Sequence, residues 1–276
     1  LTPKDLAQCY GDSNIFLFFG GFVMALALEK WGVHEQIARR IIAVVGDKKS
    51  NILLGFILST GLISMWISNT ATALMMLPMA VAVVEALPPA HRQSKFSVFL
   101  MLSIAYASNI GGVGTLIGSP PNTQMASILS ESFNIEISFF DWMKIGMPLA
   151  ILLLLLMFLI FNYLLGEERK DVHDLNFHTL PWSKAQKRVL WIFSIVAGLW
   201  IFREAIGTYL NINYRDENAA ILGALAMFLM PSGQTAKEKV LRWSDTEKLP
   251  WGILLLFGGG LALAGVLEKN GILQFL

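Results

Sequence analysis

Ser64-Met65-Trp66-Ile67-Ser68-Asn69-Thr70-Ala71-Thr72 is a knot of hydroxyls and one amide between two apolar runs, Asn51–Ile67 (NILLGFILSTGLISMWI) and Ala71–Leu87 (ATALMMLPMAVAVVEAL). Hydrocarbon offers these polar groups no partners, so a chain that carries them to membrane depth must satisfy them internally. Two readings fit. One is a tight turn between two short transmembrane helices. The other is a re-entrant helical hairpin over 51–87 whose tip is half of a ligand site. Each run, about 17 residues at 1.5 Å per residue, reaches only ~25 Å against a hydrocarbon core of ~30 Å. Length favours the hairpin weakly, and the polar tip favours it further.

The wider composition sets the class. The 276 residues are 55% hydrophobic and 15% charged, with a mean hydropathy of +0.58, where soluble domains carry about 25% charge. An all-α polytopic membrane protein is predicted, and a globular enzyme is excluded. The net charge of +1 and the lack of a dense basic run give no sign of a nucleic-acid partner. Cys9 is the only cysteine, which leaves no intrachain disulfide and no thiolate metal site. Residues 1–14 (LTPKDLAQCYGDSN) do not read as a signal peptide and do not begin with Met, so the chain is expected to start partway through a longer protein.

Apolar segments fall at 14–31, 51–67, 71–87, 96–131 (interrupted), 145–165, 189–206, 218–230 and 251–267. The largest connector, Gly166–Arg188, is too small and polar for a domain, so 1–276 is expected to be one membrane-embedded unit. Sixteen Lys and Arg gather in the connectors Lys30–Ser50, Arg92–Lys95, Gly166–Arg188 and Pro231–Pro250, against Lys4, Arg203 and Arg215 on the other side, with Lys144 and Lys269 at membrane edges. The positive-inside bias assigns the larger set to the cytoplasm and places both ends of the hairpin there. Residues 33–45 (VHEQIARRIIAVV) read as an interfacial or connector helix, with Ile37, Ile41, Val45, Ala38 and Ile42 on one face and Glu35, Arg39 and Arg40 opposite. Trp31, Trp142, Trp182, Trp243 and Trp251 mark segment edges, as an aromatic belt does.

Two stretches match one another. Asn14–Gly32 (NIFLFFGGFVMALALEKWG) and Gly252–Gly271 (GILLLFGGGLALAGVLEKNG) share an FGG…LEK-x-G pattern. By the crossing count, the first runs outside to inside and the second inside to outside. An inverted repeat is therefore expected, as in many secondary transporters. Residues 14–131 are then the end of repeat one, 145–230 intervening helices, and 251–276 the start of a truncated repeat two.

Segment 96–131 holds a second polar break, Ser108–Thr123 (SNIGGVGTLIGSPPNT). Its glycines and prolines predict a broken transmembrane helix, with a first half ending near Gly111 and a second starting near Pro120, since proline suits a first helical turn. A glycine-softened packing helix is the alternative. Ser68 or Asn69 caps the helix that begins near Ala71. Two helix N-termini, one at Asn69 and Thr70 and one at Ser119, Pro120 and Asn122, then offer free N–H groups to an anion. Ser64, Ser68 and Asn69, with carbonyls near Gly114 and Gly118, make a neutral oxygen cage that suits Na⁺, a hard cation. No Asp, Glu, Lys, Arg or His lies inside these stretches, whereas a proton-coupled carrier needs a titratable relay. Glu85 falls near the hairpin's cytoplasmic end. His34, His91, His173 and His178 all fall in connectors, away from the serines, which disfavours an intramembrane serine–histidine enzyme.

The Ser68-Asn69-Thr70 signature within ISMWISNTATALMMLP, paired with SNIGGVGTLIGSPPN (Ser108–Asn122), resembles the divalent anion/sodium symporter family of Na⁺-coupled di- and tricarboxylate transporters. The resemblance implies a scaffold plus a mobile transport unit, a homodimer, elevator-type alternating access and a place in the cytoplasmic membrane. It implies that Asn69 and Thr70 contact a substrate carboxylate, and that Ser64, Ser68, Asn69 and the Gly114–Gly118 loop hold one Na⁺. The expected function is Na⁺-coupled symport of C4-dicarboxylates. A tricarboxylate or sulfate carrier is the near alternative and an anion channel with re-entrant pore loops the more distant one. The other half of the pocket is expected beyond Leu276.

Overall fold

The computed structural model describes all residues except 1, 47, 134, 171–179, 236–237 and 271–276. His173, His178 and Gly271, the last residue of the repeat match, lie outside the described residues. The chain is an all-α membrane protein, and its helices run in the order α1 (Pro3–Tyr10), α2 (Ser13–Lys30), α3 (Val33–Val45), α4 (Lys49–Ser64), α5 (Asn69–Ala86), α6 (Lys95–Gly112), α7 (Pro120–Phe133), α8 (Phe139–Leu165), α9 (Lys184–Ile201), α10 (Arg203–Leu210), α11 (Asp216–Leu229) and α12 (Trp251–Lys269). Among the described residues, the one pairing outside helices that can be placed is a lone antiparallel bridge between Pro231 and Lys239. By length and composition, 6–30, α5 and the run from Phe139 to Glu168 can cross a membrane, while α4 is shorter and apolar.

The helices form two compact units. One comprises residues 28–122 and 137–187. Here α4 is the central element: it packs on α3, α5, α6 and α8, and Ile52, Leu53, Phe56 and Ile57 are fully buried. Its closest crossing is with α6. A Cβ on Gly111 would run into the Gly61 carbonyl oxygen, so the two backbones touch with no side chain between them. This is the small-residue packing that membrane helices use where no hydrophobic force drives them together. The α3 helix occupies the predicted span and buries Ala38 and Ile42. Its buried face also takes in Val33, His34 and Gln36, while Ile37 and Ile41 are half-buried. Ile42 and Val45 meet α4 where Gly55 leaves space. Arg40 stacks its guanidinium 4.8 Å from the Trp182 ring.

The other unit comprises residues 1–27, 123–136 and 188–276. Phe18 is fully buried, with ring centroids 5.1 Å from Phe22 and 5.2 Å from Phe257. Tyr10 lays its ring over Gly258 and donates its hydroxyl to the Leu255 carbonyl at 3.3 Å. The apolar segment 189–206 is not one straight helix. It bends by 78° at Phe202, between α9 and α10. Three interactions across the bend hold it: Trp200 Nε1 donates to Asp216 O at 2.9 Å, Tyr214 Oη donates to Leu199 O at 2.7 Å, and Arg203 pairs with the Asp216 carboxylate at 3.3 Å. The sequence window saw only the apolar run and none of these partners.

Candidate functional site

Both polar breaks lie in the 28–122/137–187 unit and are built against each other. The first is the connection between α4 and α5. The Ser68 backbone is extended, and its hydroxyl accepts the Ala71 N–H at 3.3 Å, so Ser68 is the N-cap and α5 starts at Asn69. The second lies between α6 and α7. The first half-helix ends at Gly112 and the next begins at Pro120, at the positions expected from the glycines and the double proline.

Three side chains fix the loop between them. Thr115, fully buried, donates its hydroxyl to the Met65 carbonyl and accepts the Gly118 N–H at 3.1 Å, which ties the second break to the first. Asn122 donates through Nδ2 to Gly112 O and Thr115 O, both at 2.8 Å, and so closes the loop on itself. Trp142, from the first turn of α8, donates its indole N–H to Val113 O at 2.9 Å, a carbonyl just past the end of α6. Trp142 was expected in an interfacial belt, and Thr115 stood inside the quoted break with no role. Only a residue type able to donate at depth hinted at either.

Asn69 is the centre of the arrangement. One end of its carboxamide lies 2.9 Å from Ser64 Oγ, 3.1 Å from Ser108 O and 3.2 Å from Gly118 O. The other end lies 3.2 Å from Asn109 Oδ1. Ser64, fully buried, sends its single hydroxyl hydrogen to Ser108 O at 2.6 Å. The close fit depends on Gly112 and Gly118. A Cβ on Gly112 would collide with Asn69 Oδ1, and one on Gly118 would stand 2.6 Å from Gly112 O and 3.0 Å from Met65 O.

Of the expected residues, Ser64, Asn69 and Gly118 come together, joined by the carbonyl of Ser108. Ser68 stands at the same tip but caps α5, and Gly114 is buried against Met65. Thr70 is exposed, Ser119 and Pro120 are half-buried at the start of α7, and Asn122 is 7% exposed with its nitrogen engaged in the loop. Among the described residues, no three His, Cys, Asp or Glu side chains come together as a metal site. The cluster is made of neutral oxygens and one carboxamide.

A family described as citrate transporter matches residues 1–276. The chain is also 37% identical, over its whole length, to a protein named sodium-dependent dicarboxylate transporter SdcS from Staphylococcus saprophyticus, of which it covers 57%. It is equally similar to the protein of the same name from Staphylococcus aureus strain USA300, of which it covers 56%. The chain thus spans little more than half the length of these curated relatives.

Proposed function

Because this chain belongs to the divalent anion/sodium symporter family, a family of transporters and not of enzymes, we propose that the intact protein carries C4-dicarboxylates such as succinate, malate and fumarate across the plasma membrane together with Na⁺. The observation that carries this reading is the oxygen count around Asn69. With Oδ1 turned inward, Asn69 places an oxygen 2.9 Å from Ser64 Oγ, 3.1 Å from Ser108 O and 3.2 Å from Gly118 O, and the Ser64 hydroxyl hydrogen is the one hydrogen among these four oxygens. Oxygens so placed repel unless a cation sits among them. A hard cation with oxygen ligands at about 2.3–2.6 Å sets neighbouring ligands roughly 3.4 Å apart, wider than the 2.9–3.2 Å around the Asn69 oxygen, so the four oxygens open slightly to admit it. The donor set carries no charge of its own, as suits a monovalent cation that must leave again. Ser68 and the Gly114 carbonyl are further candidate ligands from the same two breaks.

The anion is assigned to the helix starts beside the cage. Asn69 and the exposed Thr70 at the start of α5, and Ser119 just before Pro120 at the start of α7, offer main-chain N–H groups, Pro120 having none of its own, and both starts present the positive end of a helix. Asn122 contributes by holding the loop in shape. The names of the two relatives support the dicarboxylate and the sodium. The family description favours a second reading, a tricarboxylate such as citrate. The folding of the chain into two compact units supports the scaffold and moving unit that an elevator needs. An inverted repeat, a re-entrant hairpin over 51–87 and a homodimer complete the proposal.

Uptake of labelled succinate into proteoliposomes bearing the intact protein tests it. Uptake is expected to saturate and to require Na⁺, and Asn69→Ala is expected to abolish it while the protein stays folded in detergent. Equal uptake from choline and Na⁺ buffers would sink the proposal. Competition by succinate, citrate and sulfate separates the anion classes.

A further inference from the structure

We infer that the cavity between α3 and segment 180–186 is a lipid-headgroup site, and that its ligand is phosphatidylethanolamine, a zwitterionic phospholipid with a primary ammonium. The site shares no residue with the cation cage or the helix starts beside it, and lipid binding there does not depend on transport.

The cavity measures about 360 Å³, at the small end of ligand pockets, which run from about 300 to 1,000 Å³. That is room for a headgroup and not for a peptide. Trp31, Glu35, Gln36, Arg39, Leu180 and Gln186 line it, all within the 28–122/137–187 unit. Its two walls are pinned together at two points. Gln186 Nε2 donates to Trp31 O at 2.9 Å, while its Oε1 accepts the Ser183 N–H at 2.9 Å. Arg40 donates from Nη2 to Leu180 O at 3.4 Å, and its guanidinium stacks on Trp182.

The level of the cavity in the bilayer follows from α3. Ile37, Ile41 and the exposed Val44 share one stripe of that helix, and Glu35 and Arg39 lie on the opposite side. A helix so divided rests in the interface with its polar side among headgroups. Trp31 and Trp182 suit the same level, and the positive-inside bias makes the leaflet the cytoplasmic one.

The lining carries one charge of each sign. Glu35 and Arg39 stand one turn apart, yet among the described residues no ion pair joins them. Gln36 is 7% exposed, and among the described residues its Oε1 has no hydrogen-bond partner. A buried acceptor without a donor is costly. These three groups fit a ligand with a phosphate for Arg39 and, an ethylene unit away, a cation bearing N–H groups for Glu35 and Gln36. A guanidinium takes a phosphate through two parallel hydrogen bonds. A primary ammonium has three hydrogens to divide between the Glu35 carboxylate and Gln36 Oε1. A choline headgroup carries the same charge without an N–H and leaves Gln36 unmet. A glycerol headgroup sets no positive charge beside Glu35. Leu180, which is exposed, offers an apolar rest for the start of the acyl chains.

Native mass spectrometry of the intact protein with phosphatidylethanolamine, phosphatidylcholine and phosphatidylglycerol of matched chains tests the assignment. Phosphatidylethanolamine is expected to bind on the order of tenfold more tightly than the other two. Glu35→Gln should bring it down to the level of phosphatidylcholine, because the ammonium loses its carboxylate. Arg39→Gln should weaken both lipids on the order of tenfold, because it removes the phosphate contact they share. Equal retention of all three by the parent protein, or a preference for phosphatidylglycerol, overturns the zwitterion. A preference for phosphatidylethanolamine that survives both substitutions overturns the location. The lipid panel on the parent needs no variant. A photoreactive phosphatidylethanolamine, with its adducts mapped on the parent chain, locates the site even where a variant misfolds: adducts only outside residues 31–39 and 180–186 overturn it.

Discussion

Thr115 joins two chain breaks that are 50 residues apart in sequence, through one hydroxyl that gives to Met65 O and takes from Gly118 N–H. Both partners are buried main-chain groups. Thr115→Val keeps the shape and removes both bonds. It is expected to destabilise the protein by about 1–3 kcal/mol for the orphaned Met65 carbonyl, the Gly118 N–H keeping the Thr115 main-chain carbonyl at 3.3 Å, measured as a lower melting temperature in detergent, and to raise the Na⁺ half-saturation by loosening Gly118. Thr115→Ser should restore both, which separates loss of the hydroxyl from loss of packing. At this scale the sequence was partly readable. Ser64, Asn69 and Gly118 could be named because polar groups at membrane depth need a reason. Thr115, Ser108 and Trp142 could not be ranked, because a buried threonine, a main-chain carbonyl and an edge tryptophan are common, and their role depends on which break lies opposite.

The helices meet the expectations where local chemistry sets their ends. Pro120 starts α7, the glycines end α6, and Ser68 caps α5. They depart where distant partners decide, as at Phe202, whose bend depends on Asp216 and Tyr214. The crossing of α4 and α6 is the element-scale feature most open to test. Gly111→Ala puts a methyl group into the Gly61 carbonyl, and only a separation of the two helices relieves it. Loss of monodisperse protein on size exclusion is expected, together with loss of uptake in whatever remains. Gly198→Ala in α9 has open space around it and is the control. It should fold as well as the parent or gain up to about 1 kcal/mol from helix propensity.

For the whole molecule, His34 ties stability to pH. Burial holds its imidazole below the ordinary histidine pKa, against the opposing pull of the Leu28 carbonyl, Glu35 and Glu29. Nδ1 lies 3.3 Å from Leu28 O and donates to it in the neutral ring. The unfolded chain takes up a proton at this residue at higher pH than the folded one, so stability rises with pH through the window from the folded value up to 6.5 and falls on acidification. Melting curves between acid and neutral pH should show this slope, and His34→Gln should flatten it. The division into two units was not legible in the sequence, because hydropathy counts spans and is blind to which of them pack together. The class, the breaks and the family were legible, because each rests on residues that a bilayer constrains locally.

The contact of Gly111 with Gly61 also bears on how such a protein changes over generations. Gly61 has a second close neighbour, Leu154, whose side chain would stand 2.5 Å from an added Cβ. That clash can be traded away: a larger residue at 61 is matched by a smaller one at 154. The clash at Gly111 has no such exchange, since what it meets is backbone. No pair of substitutions passes through this point, so drift in the surrounding helices must go around it.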